Sequence, residues 1–204
     1  IISGMAIPSE LHIKYNKTIT INEENFSLPL LMVNSVGRLG NIMGEYASLF
    51  ALGKLYNVSV LLLPEMKKSF SGIFPHITMK VLPSDFDRKR CVDISFDDSY
   101  KNICNYSPIQ LAAAGLFGPL CFIIRDYPFE MKLFHSVRED ILTEFKFSEE
   151  ILKKVDKFYT SIKNTKRRKF NYEHYTFVGI HIRMTDYKHH MKVTCQVIIT
   201  LLMQ

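Results

Sequence analysis

The sequence predicts an α/β chain, and three observations carry that prediction. Residues 28–33 and 58–63 are short, continuous apolar runs, the pattern of strands buried on both faces. A glycine-bearing loop, Gly37-Arg38-Leu39-Gly40-Asn41, follows the first run. After it, Met43, Tyr46, Ala47, Phe50, Ala51 and Leu55 recur at helical spacing, with Glu45 and Lys54 off that stripe. Strand, glycine loop, helix and strand make a βαβ unit.

The remaining elements are read in chain order. Residues 1–27 are polar and extended in character, and are expected to form a stem or lead-in rather than core. Residues 76–82 and 91–96 are strand candidates bounded by turn residues. The uncharged stretch 102–124 is formally long enough to span a bilayer. However, Asn105, Pro108, Gln110, Gly115, Gly118 and Pro119 interrupt it, so a buried helix followed by a strand is expected. Helices are expected over 131–145 and 148–162, the second favoured by Glu149 and Glu150 at its positive end. Lys163, Lys166, Arg167, Arg168 and Lys169 mark 163–175 as a solvated basic linker. A strand at 177–183 would open a second unit. The expected organisation is a lead-in over 1–27, an α/β domain over 28–162, the linker over 163–175, and the start of another domain over 176–204.

Composition narrows the function classes. Apolar residues form 47% and charged residues 23% of the 204, a globular balance that argues against a disordered chain. The 26 basic and 20 acidic residues leave a charge of +6, but no zinc-finger, RNP or helix-turn-helix pattern accompanies the basic cluster. Nucleic acid is therefore not an expected partner, whereas one phosphorylated metabolite remains open. Four N-x-S/T sequons, at Asn16, Asn25, Asn57 and Asn105, favour the secretory pathway as sites of glycosylation. Cys91, Cys104, Cys121 and Cys195 allow three pairings or buried free thiols, without C-x-x-C spacing. His189-His190 lacks a third ligand, so no metal site is expected. The chain opens with Ile1 rather than methionine and is expected to be a processed form or a fragment. Any membrane anchor would precede it.

Two segments carry candidate chemistry. A glycine loop between a buried strand and a helix lets backbone N–H groups approach an anion, with the helix N-terminus behind them. Arg38 could add charge and Asn41 could cap the helix or reach a ligand; a tight βα turn is the alternative. In Gly179-Ile-His-Ile-Arg-Met-Thr-Asp-Tyr187, strand alternation puts Gly179, His181 and Arg183 on one face. Arg183 would sit at the strand's carboxyl end, where a guanidinium suits a diphosphate. A structural Arg183–Asp186 pair with a core histidine is the other reading.

The stretches GRLGNIMGEYASLFALGKLYNV and FVGIHIRMTDY resemble two diagnostic segments of the α-1,2-fucosyltransferases, with SVREDILTEFKF between them resembling a helix of that family. The resemblance covers roughly residues 28–192. It implies an inverting Golgi glycosyltransferase that moves fucose from GDP-fucose to the 2-hydroxyl of a terminal galactose on a glycan, without an obligatory metal or other cofactor. It also implies a GT-B-like fold of two Rossmann-like halves, of which this chain carries the acceptor-side half and only the start of the GDP-fucose half. The implied location is the lumenal side of the Golgi membrane, in a type II protein anchored through a segment not in this chain. His181, Arg183 and Asp186 match the sugar-nucleotide motif as catalytic residues, with Arg183 the implied pyrophosphate ligand. Gly37, Arg38, Gly40 and Asn41 match the amino-terminal substrate-binding loop. Ile42 stands where the family usually has glutamine, and Met184 where it has a second arginine. The tail VTCQVIITLLMQ departs from the family pattern, so a truncated chain, inactive alone, is expected. A non-catalytic relative that binds glycans or partners is the alternative.

Overall fold

A computed structural model describes residues 6–95, 97–98, 103–104, 107–125, 128 and 131–169, with backbone alone described at 97–98, 103–104, 131 and 163–169. His181, Arg183, Met184 and Asp186, the Asn105 sequon, Cys195 and the expected strand at 177–183 lie outside the described residues.

The chain divides into two compact units, residues 1–156 and 157–204. The first begins with a hairpin of β1 (Thr18–Ile21) and β2 (Glu24–Ser27), joined by Asn22 and Glu23 at φ 46° and 65°. Two residues at positive φ form the connection whose twist suits paired strands. The expected lead-in is corrected here: it folds onto the domain and adds Ile7 and Ile21 to the core. Tyr56 Oη accepts the Ile7 N–H at 3.0 Å, and the Ile13 N–H donates to the Ala114 carbonyl at 2.8 Å. Its apolar residues are spaced among polar ones rather than gathered in a continuous run, so they do not read as core.

The predicted βαβ unit is present. It consists of the fully buried β3 (Leu30–Val33), α1 (Leu39–Tyr56) and β4 (Ser59–Val60), with β3 and β4 parallel. Then follow α2 (Pro64–Phe70), β5 (Val92–Ser95) and a short antiparallel pair, β6 (Asp97–Asp98) and β7 (Ile103–Cys104). The uncharged stretch forms α3 (Ser107–Ala113) and β8 (Cys121–Arg125), the expected helix and strand. No described helix is long and apolar enough to cross a membrane. The main sheet is parallel with order β4-β3-β8-β5.

Three expectations change. The strand at 76–82 reduces to a single bridge, Leu62 with Val81. One reason is that the Thr78 N–H donates to Glu144 at 2.7 Å instead of to a strand. The helix at 131–145 is two helices, α4 (Met131–Ser136) and α5 (Arg138–Glu144). They break at Val137, whose β-branched side chain is buried and whose φ and ψ are −122° and 22°. Finally α6 (Glu149–Lys169) runs through the first part of the expected basic linker. Lysine and arginine are good helix formers, and their charge favours a helix C-terminus. Near its start, Glu149–Lys153 and Glu150–Lys154 pair at i,i+4.

The parallel sheet has two unlike faces. Leu31, Val33, Phe122 and Ile124 point toward α1 and join the larger apolar cluster with Tyr46, Phe50, Phe70, Phe74 and Leu133. Leu30, Met32, Cys121 and Ile123 point the other way into a smaller cluster with Ile21, Leu61, Leu63 and Leu82. Strand alternation produces both sets from uninterrupted apolar runs.

Candidate functional site at the carboxyl edge of the sheet

The glycine loop leaves β3 at the carboxyl edge of the sheet, where ligands of open α/β sheets are found. Gly37 adopts φ 87°, and a Cβ there would strike the Asn41 side chain, so both conformation and space call for glycine. Gly40 lies in the first turn of α1 with open space around it. Arg38 is the N-cap of α1, in extended backbone, and no side chain caps the helix. Asn41 is therefore not the cap; it packs against Gly37 inside the first turn. Gly37, Arg38 and Gly40 are exposed and Asn41 half-buried, so the structure brings these four predicted residues together on one accessible turn. Ile42, by contrast, is buried in the larger cluster, as an aliphatic side chain requires.

Behind this turn lies Glu45, placed off the apolar stripe by sequence yet fully buried. The Val36 N–H donates to both its carboxylate oxygens, at 3.3 and 3.2 Å, tying the loop to α1. Burial pushes the Glu45 carboxyl up to about 7, against the lowering effect of that hydrogen bond. A second buried carboxylate, Glu144, accepts from Tyr46 Oη at 2.5 Å, from the Thr78 N–H at 2.7 Å and from Thr78 Oγ1 at 2.7 Å. Burial, then the hydrogen bond to and charge of Glu144, raise the Tyr46 hydroxyl. This network joins α1, the 76–79 segment and α5. A lone charged residue within an apolar periodicity is the sequence signal for such groups, and it does not distinguish buried from exposed.

On the opposite face, Cys91 and Cys121 form a disulfide between the start of β5 and the start of β8. It selects one of the pairings the sequence left open. The strands are in register with Asp93 beside Ile123, so Cys91 and Asp93 share a face with Cys121, Ile123 and Arg125. Arg125 holds Asp93 through a two-pronged contact, Nε to Oδ1 at 3.0 Å and Nη2 to Oδ2 at 3.1 Å. A cavity of about 450 Å³ opens here, lined by Asn34, Leu63, Arg88, Lys89, Cys91, Asp93, Ile123 and Arg125. Sequence reasoning missed it because its residues come from four separate segments. Among the described residues, no three His, Cys, Asp or Glu side chains converge to hold a metal ion.

Asn16, Asn25 and Asn57 are all exposed, on the lead-in, β2 and the C-cap of α1. His181, Arg183 and Asp186, expected from the sequence to meet the sugar nucleotide, are outside the described part.

Comparison with known proteins adds the family. The profile described as Glycosyl transferase family 11 matches residues 22–200. Galactoside alpha-(1,2)-fucosyltransferase 2 of Mus musculus is 31% identical over 164 residues, 79% of this chain and 42% of the relative. The enzyme of the same name from Sus scrofa is 30% identical, covering 78% and 42%. Galactoside 2-alpha-L-fucosyltransferase SEC1 of Bos taurus is 28% identical, covering 76% and 38%. The chain thus spans about two fifths of the length of these relatives, and no solved structure matches it. The glycine loop, the parallel sheet and a match over most of its length agree: this chain belongs to glycosyl transferase family 11.

Proposed function

We propose that the chain is the acceptor-side part of an α-1,2-fucosyltransferase, which moves fucose from GDP-fucose to the 2-hydroxyl of a terminal galactose. The observation that carries this reading is the family match over residues 22–200, with the GRLGN turn held open at the sheet's carboxyl edge. In this reading the protein is of GT-B type, and a second Rossmann-like half binds the nucleotide. The acceptor 2-hydroxyl gives its proton to a general base as its oxygen attacks the anomeric carbon of fucose, the bond to GDP breaks with its electron pair leaving on the diphosphate, and configuration inverts. Arg183 holds the diphosphate as negative charge builds on it, Asp186 orients Arg183, and no metal is needed. His181 belongs to the same motif as Arg183. The Golgi lumen is the proposed location, reached by an anchored type II parent. The exposed sequons at Asn16, Asn25 and Asn57 and the Cys91–Cys121 disulfide support an oxidising, glycosylating compartment.

The test uses this chain continued to the length of its relatives, supplied with GDP-fucose and a β-galactoside. Fucose appearing on O2 of galactose is the expected result. Arg183→Ala should then slow single-turnover transfer by about a hundred- to thousand-fold, and Arg183→Lys should rescue poorly. Binding of both substrates without transfer would favour the non-catalytic reading instead.

A further inference from the structure

The cavity beside the disulfide brings basic and polar side chains together over an apolar floor. Chain topology marks its position. From β3 the chain passes through α1 to β4 on one side, then crosses to β5 on the other and returns to place β8 beside β3. The carboxyl ends of β3 and β8 therefore flank the point where the winding reverses, and open α/β sheets bind ligands there. Asn34 directly follows β3, Arg125 ends β8, and both line the cavity. Its volume falls within the ~300–1,000 Å³ of small-ligand sites.

Leu63 and Ile123, almost fully buried, close the floor of the cavity beside Cys91 of the disulfide. The walls suit a sugar ring. Asn34, Asp93 and Arg125 present donors and acceptors suited to its hydroxyls, and the Asp93–Arg125 contact holds two of them in fixed orientation. Among the described lining residues three are cationic, Arg88, Lys89 and Arg125, and one is a carboxylate, Asp93. Arg125 is committed to Asp93, and Arg88 to Glu65 at 2.8 Å. Burial raises the Glu65 carboxyl, but hydrogen bonds from its own N–H and from Arg88 outweigh this and hold it below its usual value. Among the described residues the Lys89 ammonium has no anionic partner. The Lys89 backbone is held by its N–H bond to Asp87 at 3.1 Å, and the next but one residue, Cys91, is in the disulfide.

We propose that this cavity binds a saccharide bearing a carboxylate or sulfate group, with the ring hydroxyls on Asn34 and the Asp93–Arg125 pair and the acid group against Lys89. The proposal rests on the glycan-binding reading above and names the class of glycan favoured. It is tested by titrating the whole chain with methyl β-galactoside, its 6-sulfate, methyl galacturonoside and inorganic sulfate, using calorimetry at low and high salt. The two acidic sugars should bind about three- to five-fold more tightly than the neutral one at low salt, with the advantage fading as salt rises. Lys89→Ala should abolish the advantage, whereas Lys17→Ala, at an exposed lysine away from the cavity, should retain it. If the neutral galactoside binds as well as the acidic ones, this inference fails and the glycan-binding reading stands. Binding of acidic sugars alone supports the inference and removes a neutral galactoside as the ligand. Inorganic sulfate binding as tightly as the sulfated sugar, or an advantage that survives Lys89→Ala, would overturn the proposal. Binding of none of the sugars would overturn both readings.

Discussion

The two faces of the parallel sheet are built from the same strands but held together by different means. On the α1 face, helices and aromatic rings close the surface: Phe70 meets Tyr46, Phe74 and Phe145 with centroids 5.5 to 5.8 Å apart. On the hairpin face, the apolar cluster is smaller, and a disulfide and surface ion pairs supplement it. Lys80–Glu24 at 2.6 Å ties the hairpin to the segment beside β4. Close packing fills the space between the sheet and α1, whereas on the second face covalent and polar links border a cavity.

The largest effect that would test this contrast comes from the aromatic face. Phe70 is 1% exposed, and Phe70→Ala removes a ring whose neighbours are themselves packed rings. The expected loss is about 3–5 kcal/mol, read as a shift of the urea midpoint at unchanged slope. A loss below about 1 kcal/mol would mean that the site collapses freely and that the two faces are not so different.

Next comes the disulfide, which closes a loop with a sequence separation of 30. Cross-linking a loop of this size stabilises by roughly 3–4 kcal/mol through the unfolded chain. Reduction, or Cys91→Ser with Cys121→Ser, should therefore lower stability by that order. It should also raise hydrogen exchange in β5, an edge strand bonded to β8 alone among the main-sheet strands, more than in β3. Equal effects on both strands would show that the face depends on packing instead.

The same contrast explains what was legible in the sequence. The runs at 28–33 and 58–63 and the loop between them specify a βαβ unit because burial on both faces leaves no alternative pattern. The GRLGN turn was legible as well, since Gly37 alone tolerates its φ and the contact with Asn41. The hairpin face was not. Ile19, Ile21 and Phe26 sit in short strands among polar residues, and their value depends on a sheet formed by distant segments. Asp93 and Arg125 are separated by 32 residues and meet only because β5 and β8 are neighbours in register. Glu45 misled for another reason. Helical periodicity places a residue on a face, but α1 is buried on more than one face, so a charge off the main stripe is not thereby exposed.

Glu45 gives the third effect, and its sign can be worked out. Its carboxyl is raised from 4.5 to about 7 in the folded protein. Between those values the unfolded chain has released the proton and the folded one keeps it. Stability therefore falls as pH rises across that window and levels off above it. The contribution is at most about 3.5 kcal/mol, from roughly 1.4 kcal/mol per unit. Glu45→Gln keeps an acceptor for the Val36 N–H and removes the titration, so its melting temperature should vary less between pH 5 and 7 than the parent's. An unchanged pH slope would place the titrating group elsewhere.

The smallest stability effect should come from Arg125, and there the comparison separates folding from binding. Its pair with Asp93 is well formed, but the two side chains are 39% and 58% exposed, so solvent screens much of the attraction. Arg125→Gln should cost no more than about 1 kcal/mol, a melting shift of a few degrees for a chain of this size. The same substitution removes the two-pronged donor that orients Asp93 at the cavity and should weaken saccharide binding by about ten-fold. Phe70→Ala should do the reverse, lowering stability severely while leaving the affinity of the remaining folded protein nearly unchanged. Melting curves and calorimetric titrations on the same two preparations therefore form a crossed test. If Arg125→Gln unfolds the protein, the pair holds the sheet edge together. If it changes neither stability nor affinity, the cavity is not a saccharide site.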